Sequence, residues 1–552
     1  MKRLAKSIIS SNLIFFLAAC LVILGLNLTP TIAHLRHAPP GRTFTLIHNN
    51  AQDFFFYQSL MNEGVGGAWL TSDPYTSEPH QSSIIFSYFL WLGKLSKTFA
   101  LPYSVTYHLA RIILSIFFLF AVFYLLFQMK IPHPKLAFFF FLFAAPFMHR
   151  ISDGGKVVSV PYMYWWTGID PVRRAAYLPH HMFGSLFLVL SFIFLIKYLR
   201  TGNIKYIFYL IIAAVLLAFV HTPSLLILLL VIPPTIIISI LTASDPKDWQ
   251  IKRKYIGIAI YWIIGALFLL LMLSQTNKGF PWSQYIAWEK RLQFPLPSEL
   301  AGALGILFPA AILGGIKALF SKRFEYILAF SWLFIPFLLI PLAPIFNLSN
   351  IRLIQGAPYL PLSILAVIGI ETIGLAIKRV ASDSKDESIA KKILYASEIA
   401  NFIIIAVFLI FTIPTISWSI KDQIREYWPI FGNVYLDNRL QNAFSFISSN
   451  FPPKTITLGT FYTGNYLPAY TPTISFIGHF GYTYKIDEKQ ALARKFFENK
   501  MSDKEAKDLI LDNKITLVWQ GPEEKPIYSN YLYPNLLKPV YDKEEVTLYV
   551  LK

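Results

Sequence analysis

Residues 49–88 read NNAQDFFFYQSLMNEGVGGAWLTSDPYTSEPHQSSIIFSY. Four acids, Asp53, Glu63, Asp73 and Glu78, stand here in aromatic and glycine-rich surroundings, shortly after an apolar run long enough to cross a bilayer. Asp53 follows Asn49-Asn50 and precedes Phe54-Phe55-Phe56-Tyr57, so one side of its carboxylate meets apolar neighbours. A partly desolvated carboxylate suits a general base. An Asp capping an interfacial helix suits the same pattern equally well. The apolar run Ile84–Leu92 is cut short by Lys94 and Lys97. It therefore reads as a helix lying at the membrane interface, aromatics buried and lysines snorkelling.

Of the 552 residues, 55% are hydrophobic and 14% charged, against about 25% charged in a soluble domain, and the mean hydropathy is +0.50. Lipid must solvate most of such a chain. The net charge of +18 would suit nucleic acid in a soluble protein. Here the basic residues cluster in short loops between apolar runs, as the positive-inside bias requires, and no nucleic-acid partner is expected. Cys20 is the only cysteine, which excludes an intrachain disulfide and a cysteine-based zinc site. Leu17-Ala18-Ala19-Cys20, after Lys2, Arg3 and Lys6, imitates a lipoprotein processing site. The run continues through Leu21-Val22-Ile23-Leu24, which reads as an uncleaved first span.

Spans are predicted at 8–28, 105–127, 136–149, 179–197, 204–221, 224–242, 254–274, 299–319, 325–345, 356–377 and 393–419. The inner loops hold Lys130 and Lys135, then Lys197, Arg200 and Lys205, then Lys247, Lys252, Arg253 and Lys254, then Lys317, Lys322 and Arg323, then Lys378-Arg379 and Lys391-Lys392. The expected fold is an α-helical polytopic membrane protein of about eleven transmembrane helices with a small C-terminal extracytoplasmic α/β domain. The membrane domain covers 1–419, with outer loops 29–104 and 150–178, and the α/β domain covers 420–552. Strands are expected at 455–459, 515–519 and 546–550 and helices at 485–498 and 502–512, the latter capped from Ser502. The N-terminus is placed in the cytoplasm and the C-terminal domain outside, with a plasma (inner) membrane preferred.

One span, an outer loop with an early Asp53 and a downstream Tyr57, a proline-containing polar segment and an amphipathic helix together resemble the GT-C superfamily of polytopic glycosyltransferases, such as protein mannosyltransferases and aminoarabinose transferases. Glu78-Pro79-His80-Gln81-Ser82 resembles the family's entry to its interfacial helix, and Arg111 resembles an Arg common near the start of the second span. The resemblance implies inverting transfer of a sugar from a polyprenyl-phosphate donor to a hydroxyl of a glycan, lipid or protein, with Asp53 as base. It further implies that Asp153, after the third span, assists Asp53 or holds a divalent cation. Arg352 would bind the lipid phosphate, helped by His180 or Arg173. Tyr57, Glu78, His80, Arg111 and His479 would contact substrate.

Each of these residues also has a plainer reading. Asp170-Pro171 suits a turn, Arg173-Arg174 solvated charge, and Arg352 snorkelling at the interface. Adjacent His180-His181 project in different directions on a helix, which disfavours a shared metal. The loops 465–470 and 478–483, rich in aromatics and glycine, suit either an acceptor cover or ordinary surface. A transporter or lipid flippase is the rival class. It would place ionisable residues at mid-membrane, often in symmetric halves, whereas the acids here lie mainly in loops, Glu371 excepted, and no repeat is visible.

Overall fold

A computed structural model describes residues 2–242, 249–291, 297–383, 387–426 and 434–552, so the predicted loop charge Lys247 lies outside the described residues. Lipid offers no partner to a backbone amide, so the apolar runs close their hydrogen bonds as helices. Among the described residues nine helices are long and apolar enough to cross a bilayer: Ser11–Arg36, Tyr103–Gln128, Pro179–Thr201, Thr222–Thr242, Lys254–Lys278, Pro297–Phe320, Phe324–Phe346, Tyr359–Ser382 and Phe402–Arg425. Two shorter apolar helices, Pro134–Phe143 and Lys205–Val220, stand where sequence predicts further spans. The chain is an integral membrane protein.

The predicted span 136–149 is corrected. Its helix stops at Phe143, and ten residues rise only about 15 Å, half of a ~30 Å hydrocarbon core. Pro146 biases its predecessor away from helix. Met148–Asp153 and Lys156–Pro161 then pair as an antiparallel hairpin, turning at Gly154-Gly155, both with positive φ.

The chain divides into two compact units. The helical unit comprises Met1–Pro30, Arg111–Leu270 and Trp288–Gln423. Within it Phe308–Phe320 crosses Tyr359–Ser382 with backbones nearly touching. A β-carbon on Gly314 would lie 1.8 Å from the Leu365 carbonyl oxygen, and one on Gly369 2.1 Å from that of Ala310. Small residues at such crossings replace the hydrophobic drive that lipid removes. Where helices break, side chains supply donors: Trp332 Nε1 reaches the Gly356 carbonyl and Tyr359 Oη the Ala303 carbonyl, each at 2.6 Å.

The second unit gathers Thr31–Ala110, Leu271–Ala287 and Ile424–Lys552. Its five-stranded sheet runs Ile474–Ser475, Ile456–Leu458, Leu517–Gln520, Val546–Leu551, Leu537–Lys543, the first three parallel and the last two antiparallel to their neighbours. Alternation along Leu517–Gln520 sends Val518 into a core with Phe496, Leu509 and Ile510, while Trp519 stacks on Phe444 of the Leu440–Asn450 helix. The predicted strands and helices thus appear within a residue or two, and the Ser502 cap is a full capping box with Glu505.

In the same unit Ala51–Val65 packs on Ser87–Phe99 at another glycine crossing. β-Carbons on Gly64 and Gly93 would meet the Leu90 and Met61 carbonyl oxygens at 2.2 and 2.0 Å. Lys94 and Lys97 donate to the carbonyls of Gly64 and Val65, at 3.3 and 3.2 Å. They cap the C-terminus of the first helix instead of snorkelling, because that end carries unpaired carbonyls and partial negative charge.

The Tyr359–Ser382 helix carries its own control for the crossing, since a β-carbon on Gly374 would meet nothing within 4 Å. Gly369→Ala should cost about 1–3 kcal/mol by overpacking, whereas Gly374→Ala should be neutral or stabilise by up to about 1 kcal/mol. Thermal unfolding of the detergent-solubilised variants measures both.

Candidate active site

The Ala51–Val65 helix begins at Asn50, whose side chain accepts from the amides of Gln52 and Asp53 at 2.8 and 3.3 Å. Asn50 is therefore the cap, and the capping alternative for Asp53 falls away. The Asp53 carboxylate sits in the first turn, where the helix dipole favours negative charge. It is 42% exposed, and its Oδ1 lies 3.5 Å from Nε2 of the buried His479.

The state of that imidazole follows from its other nitrogen. The Gly481 amide donates to His479 Nδ1 at 3.0 Å. Nδ1 therefore carries a lone pair, and the proton of the neutral ring is on Nε2, facing Asp53. Phe56, Tyr75 and Tyr482 surround the ring at centroid distances of 5.7, 5.5 and 4.5 Å. Tyr482 in turn stacks on Phe56 and shares a hydroxyl–hydroxyl hydrogen bond with Tyr285. Of the predicted residues, the structure brings Asp53 and His479 together.

Tyr57 is buried in a stack, 4.1 Å from Phe89 and 6.4 Å from Tyr107. His80 braces the loop beneath: its Nε2 accepts from the Asp73 amide at 2.8 Å and its Nδ1 meets the Glu78 carbonyl at 2.9 Å. Glu78 accepts from Lys489 at 2.8 Å and from Thr76. Burial alone would push its carboxyl up, but these hydrogen bonds outweigh it and hold it below the usual range. Glu63, bonded to Ser72 Oγ at 2.6 Å, is pushed up by burial. Asp73 is fully buried; its Oδ1 accepts from Tyr75 N, its Oδ2 has no hydrogen-bond partner among the described residues, and burial pushes it well up.

The helical unit holds the other predicted residues. Arg352, on the turn Asn350–Ile354, donates through Nε and a terminal nitrogen to Glu289 Oε1 at 2.9 and 2.6 Å, and the Ser349 amide donates to Glu289 Oε2. Its other terminal nitrogen reaches Gln355 Oε1 at 3.4 Å. Gln355 also lines a cleft together with Arg174, His181 and Tyr359. His180 is buried beside His181, and His181 Nδ1 lies 3.2 Å from His221 Nε2.

Arg173 pairs with Asp422 at 3.0 Å, so it is not the solvated charge of the plainer reading. Asp170 caps the short Pro171–Ala175 helix. Arg111 is fully buried and clamps Asn27 Oδ1 and the Ala176 carbonyl. Asp153 is exposed beside the hairpin turn, opposite Lys156. Among the described residues no three His, Cys, Asp or Glu side chains are arranged to hold a metal ion.

No protein-family model matches the chain, and no curated protein matches it. Solved structures do. AglB, the archaeal oligosaccharyltransferase from Archaeoglobus fulgidus in complex with an inhibitory peptide and a dolichol-phosphate, gives a TM-score of 0.53 at 10% identity, covering 92% of this chain and 70% of that one. The A. fulgidus oligosaccharyltransferase tethered with an acceptor peptide containing the NVT sequon gives 0.51 at 11%, covering 92% and 69%. Arabinofuranosyltransferase AftD from Mycobacteria gives 0.51 at 11%, covering 97% of this chain and 40% of that one. The chain has a GT-C fold. At these identities the likeness is one of architecture, and roles must be argued from the residues.

Within this GT-C fold, several participants escaped sequence reasoning. Glu289 had one signal, being the only acid between the predicted spans 254–274 and 299–319, where residues 292–296 lie outside the described ones. Gly481 lay in the aromatic, glycine-rich loop 478–483, but it acts through a backbone amide, and Lys489 had no signal, since it matters only through a partner distant in sequence.

Asp73 yields a test with a definite sign. Its folded pKa is raised from an unfolded value of about 3.9, so its stabilising contribution is full below that value and is lost as pH rises through the folded pKa. The stability of Asp73→Asn relative to wild type should therefore grow between pH 5 and pH 8, read from unfolding midpoints across that range.

Proposed function

We propose that this protein is a membrane glycosyltransferase that moves a sugar from a polyprenyl-phosphate donor to a hydroxyl acceptor on the extracytoplasmic face of the plasma (inner) membrane, with inversion at the anomeric carbon. The observation that carries the reading is the half-open Asp53 carboxylate facing His479 in a chain of GT-C fold. The neighbours contribute only what their names state: one oligosaccharyltransferase structure holds a dolichol-phosphate, another an acceptor peptide.

Asp53 accepts the proton of the acceptor hydroxyl as its oxygen attacks the anomeric carbon and the lipid phosphate departs. His479 Nε2–H faces Oδ1 and orients the carboxylate; a separation of 3.5 Å is the loose geometry common before substrate binds. Arg352 is the donor-phosphate ligand. Glu289 holds one edge of its guanidinium and so aims the other, and an Arg fork neutralises charge developing on a leaving phosphate. Arg111 and Arg173 are both buried on protein partners, Arg111 clamping Asn27 and the Ala176 carbonyl and Arg173 pairing with Asp422. Whether the sugar is a hexose or a pentose is left to a screen of lipid-linked donors.

Transfer from a labelled lipid-linked donor by the purified protein tests the reading. Asp53→Asn should lower kcat by about 10²-fold or more with unchanged unfolding temperature; wild-type-like turnover in a folded Asp53→Asn would remove it as the base. Arg352→Lys keeps the charge but loses the fork, and should raise donor KM by about tenfold while leaving acceptor KM unmoved.

A further inference from the structure

Asp53 and Arg352 leave an imidazole pair in the helical unit unused. His181, in the first turn of the Pro179–Thr201 helix, lines the cleft to which Gln355 also belongs, whereas His180 does not. Its Nδ1 lies 3.2 Å from His221 Nε2, and His221 Nδ1 lies 2.8 Å from Ser224 Oγ. A β-carbon at Gly184 would fall 2.4 Å from His221 Nδ1, so glycine at that position is what admits the second ring.

The direction of this chain follows from its far end. Ser224 is fully buried, and His221 Nδ1 is the only hydrogen-bond partner of its hydroxyl among the described residues. Were the ring to donate, the buried hydroxyl proton would be left without an acceptor, at a desolvation cost. The serine therefore donates, and the His221 ring proton sits on Nε2, facing His181 Nδ1. The proton of a neutral His181 ring is then on Nε2, an atom with no protein partner among the described residues. Two further polar groups of the lining, Trp166 Nε1 and Gln355 Nε2, are likewise donors without an acceptor among the described residues, the Gln355 oxygen being taken by Arg352. Arg174 adds positive charge to the wall, Phe141 an apolar surface, and no Asp or Glu lines the cleft.

We propose that His181 is a second ligand of the donor phosphate beside Arg352, fixed as an Nε2–H donor by His221 and Ser224. This rests on the lipid-linked donor reading above. A phosphoryl group on an apolar tail brings acceptor oxygens to His181, Trp166 and Gln355, negative charge to Arg174 and hydrocarbon to Phe141. A sugar would bring as many hydroxyl protons as acceptors, with no carboxylate in the lining to take them. His221 and Ser224 are positioning residues, since they act only by deciding which nitrogen of His181 carries its proton.

Two measurements on the full chain in nanodiscs test this without turnover. In nitrogen-15 NMR of histidine-labelled protein, His181, assigned by its loss in His181→Gln, should show a protonated Nε2 and a bare Nδ1; the opposite tautomer overturns the proposal. Equilibrium binding then uses farnesyl monophosphate, inorganic phosphate and farnesol as separate probes, and should favour the monophosphate over both others. His181→Phe should weaken the monophosphate about tenfold and leave farnesol unmoved, and His181→Gln should restore most of the loss through its amide N–H. Ser224→Ala should cost about 2- to 5-fold and raise the share of the second tautomer. Unchanged monophosphate binding in His181→Phe, a loss shared equally by farnesol, or farnesol matching the monophosphate in wild type would overturn the proposal. Inorganic phosphate binding as tightly as the ester would assign the cleft to free phosphate and overturn it as well. Because neither measurement involves transfer, such results leave Arg352 and Asp53 to be judged by the labelled-donor assay.

Discussion

A carbonyl left unpaired where a helix ends in the protein interior has no water to turn to, and the helical unit is built around supplying it a donor. Arg174 shows the extent of this. Its guanidinium donates to the carbonyls of Phe141, Leu142, Ala144 and Ile169 and lies 3.9 Å over the Tyr359 ring. Five donors in a planar fork suit that task as no other side chain does. Burial pushes the group down to about 10, which leaves it charged at neutral pH. Arg111, Trp332 and Tyr359 repeat the pattern on the carbonyls of Ala176, Gly356 and Ala303. The end of the short Pro134–Phe143 helix is tolerable because Arg174 closes it.

The second unit answers the opposite need, giving backbone amides acceptors and thereby setting side-chain chemistry. Asn50 takes the capping work at the head of the Ala51–Val65 helix, which leaves the Asp53 carboxylate unspent. The Gly481 amide decides which nitrogen of His479 keeps its proton, and so what Asp53 faces. Half-buried Glu78 pairs with the buried Lys489, while Asp73 is buried with one oxygen unmatched. Within a single short loop, environment thus holds the Glu78 carboxyl below the usual range and pushes that of Asp73 above it.

Much of this architecture was legible in the residues. Apolar runs of about twenty residues and basic loops mark the long helices because lipid forces both. The alternation at 515–519 and the Ser502–Glu505 spacing mark the α/β elements because those signals are local. What failed was non-local. Nothing near Phe143 announces that a ten-residue helix will be completed by an arginine some thirty residues on. The lysines of Ser87–Phe99 look like snorkelling charge until Gly64 and Gly93 bring the preceding helix end within their reach. The early Asp53 could be singled out from its surroundings, and His479 from its loop, but their pairing required the fold.

The second unit is stitched from stretches at 31–110, 271–287 and 424–552. Asp53 therefore emerges from the ribosome long before His479, and at about 5–20 residues per second the interval is roughly 20–85 s. During that time the nascent loop has no imidazole opposite its carboxylate and no Pro468 or Thr471 carbonyl for Asn62 to hold. The pairing is thus timed by translation itself: most of the helices are made first, and Asp53 meets His479 only as the last quarter of the sequence arrives.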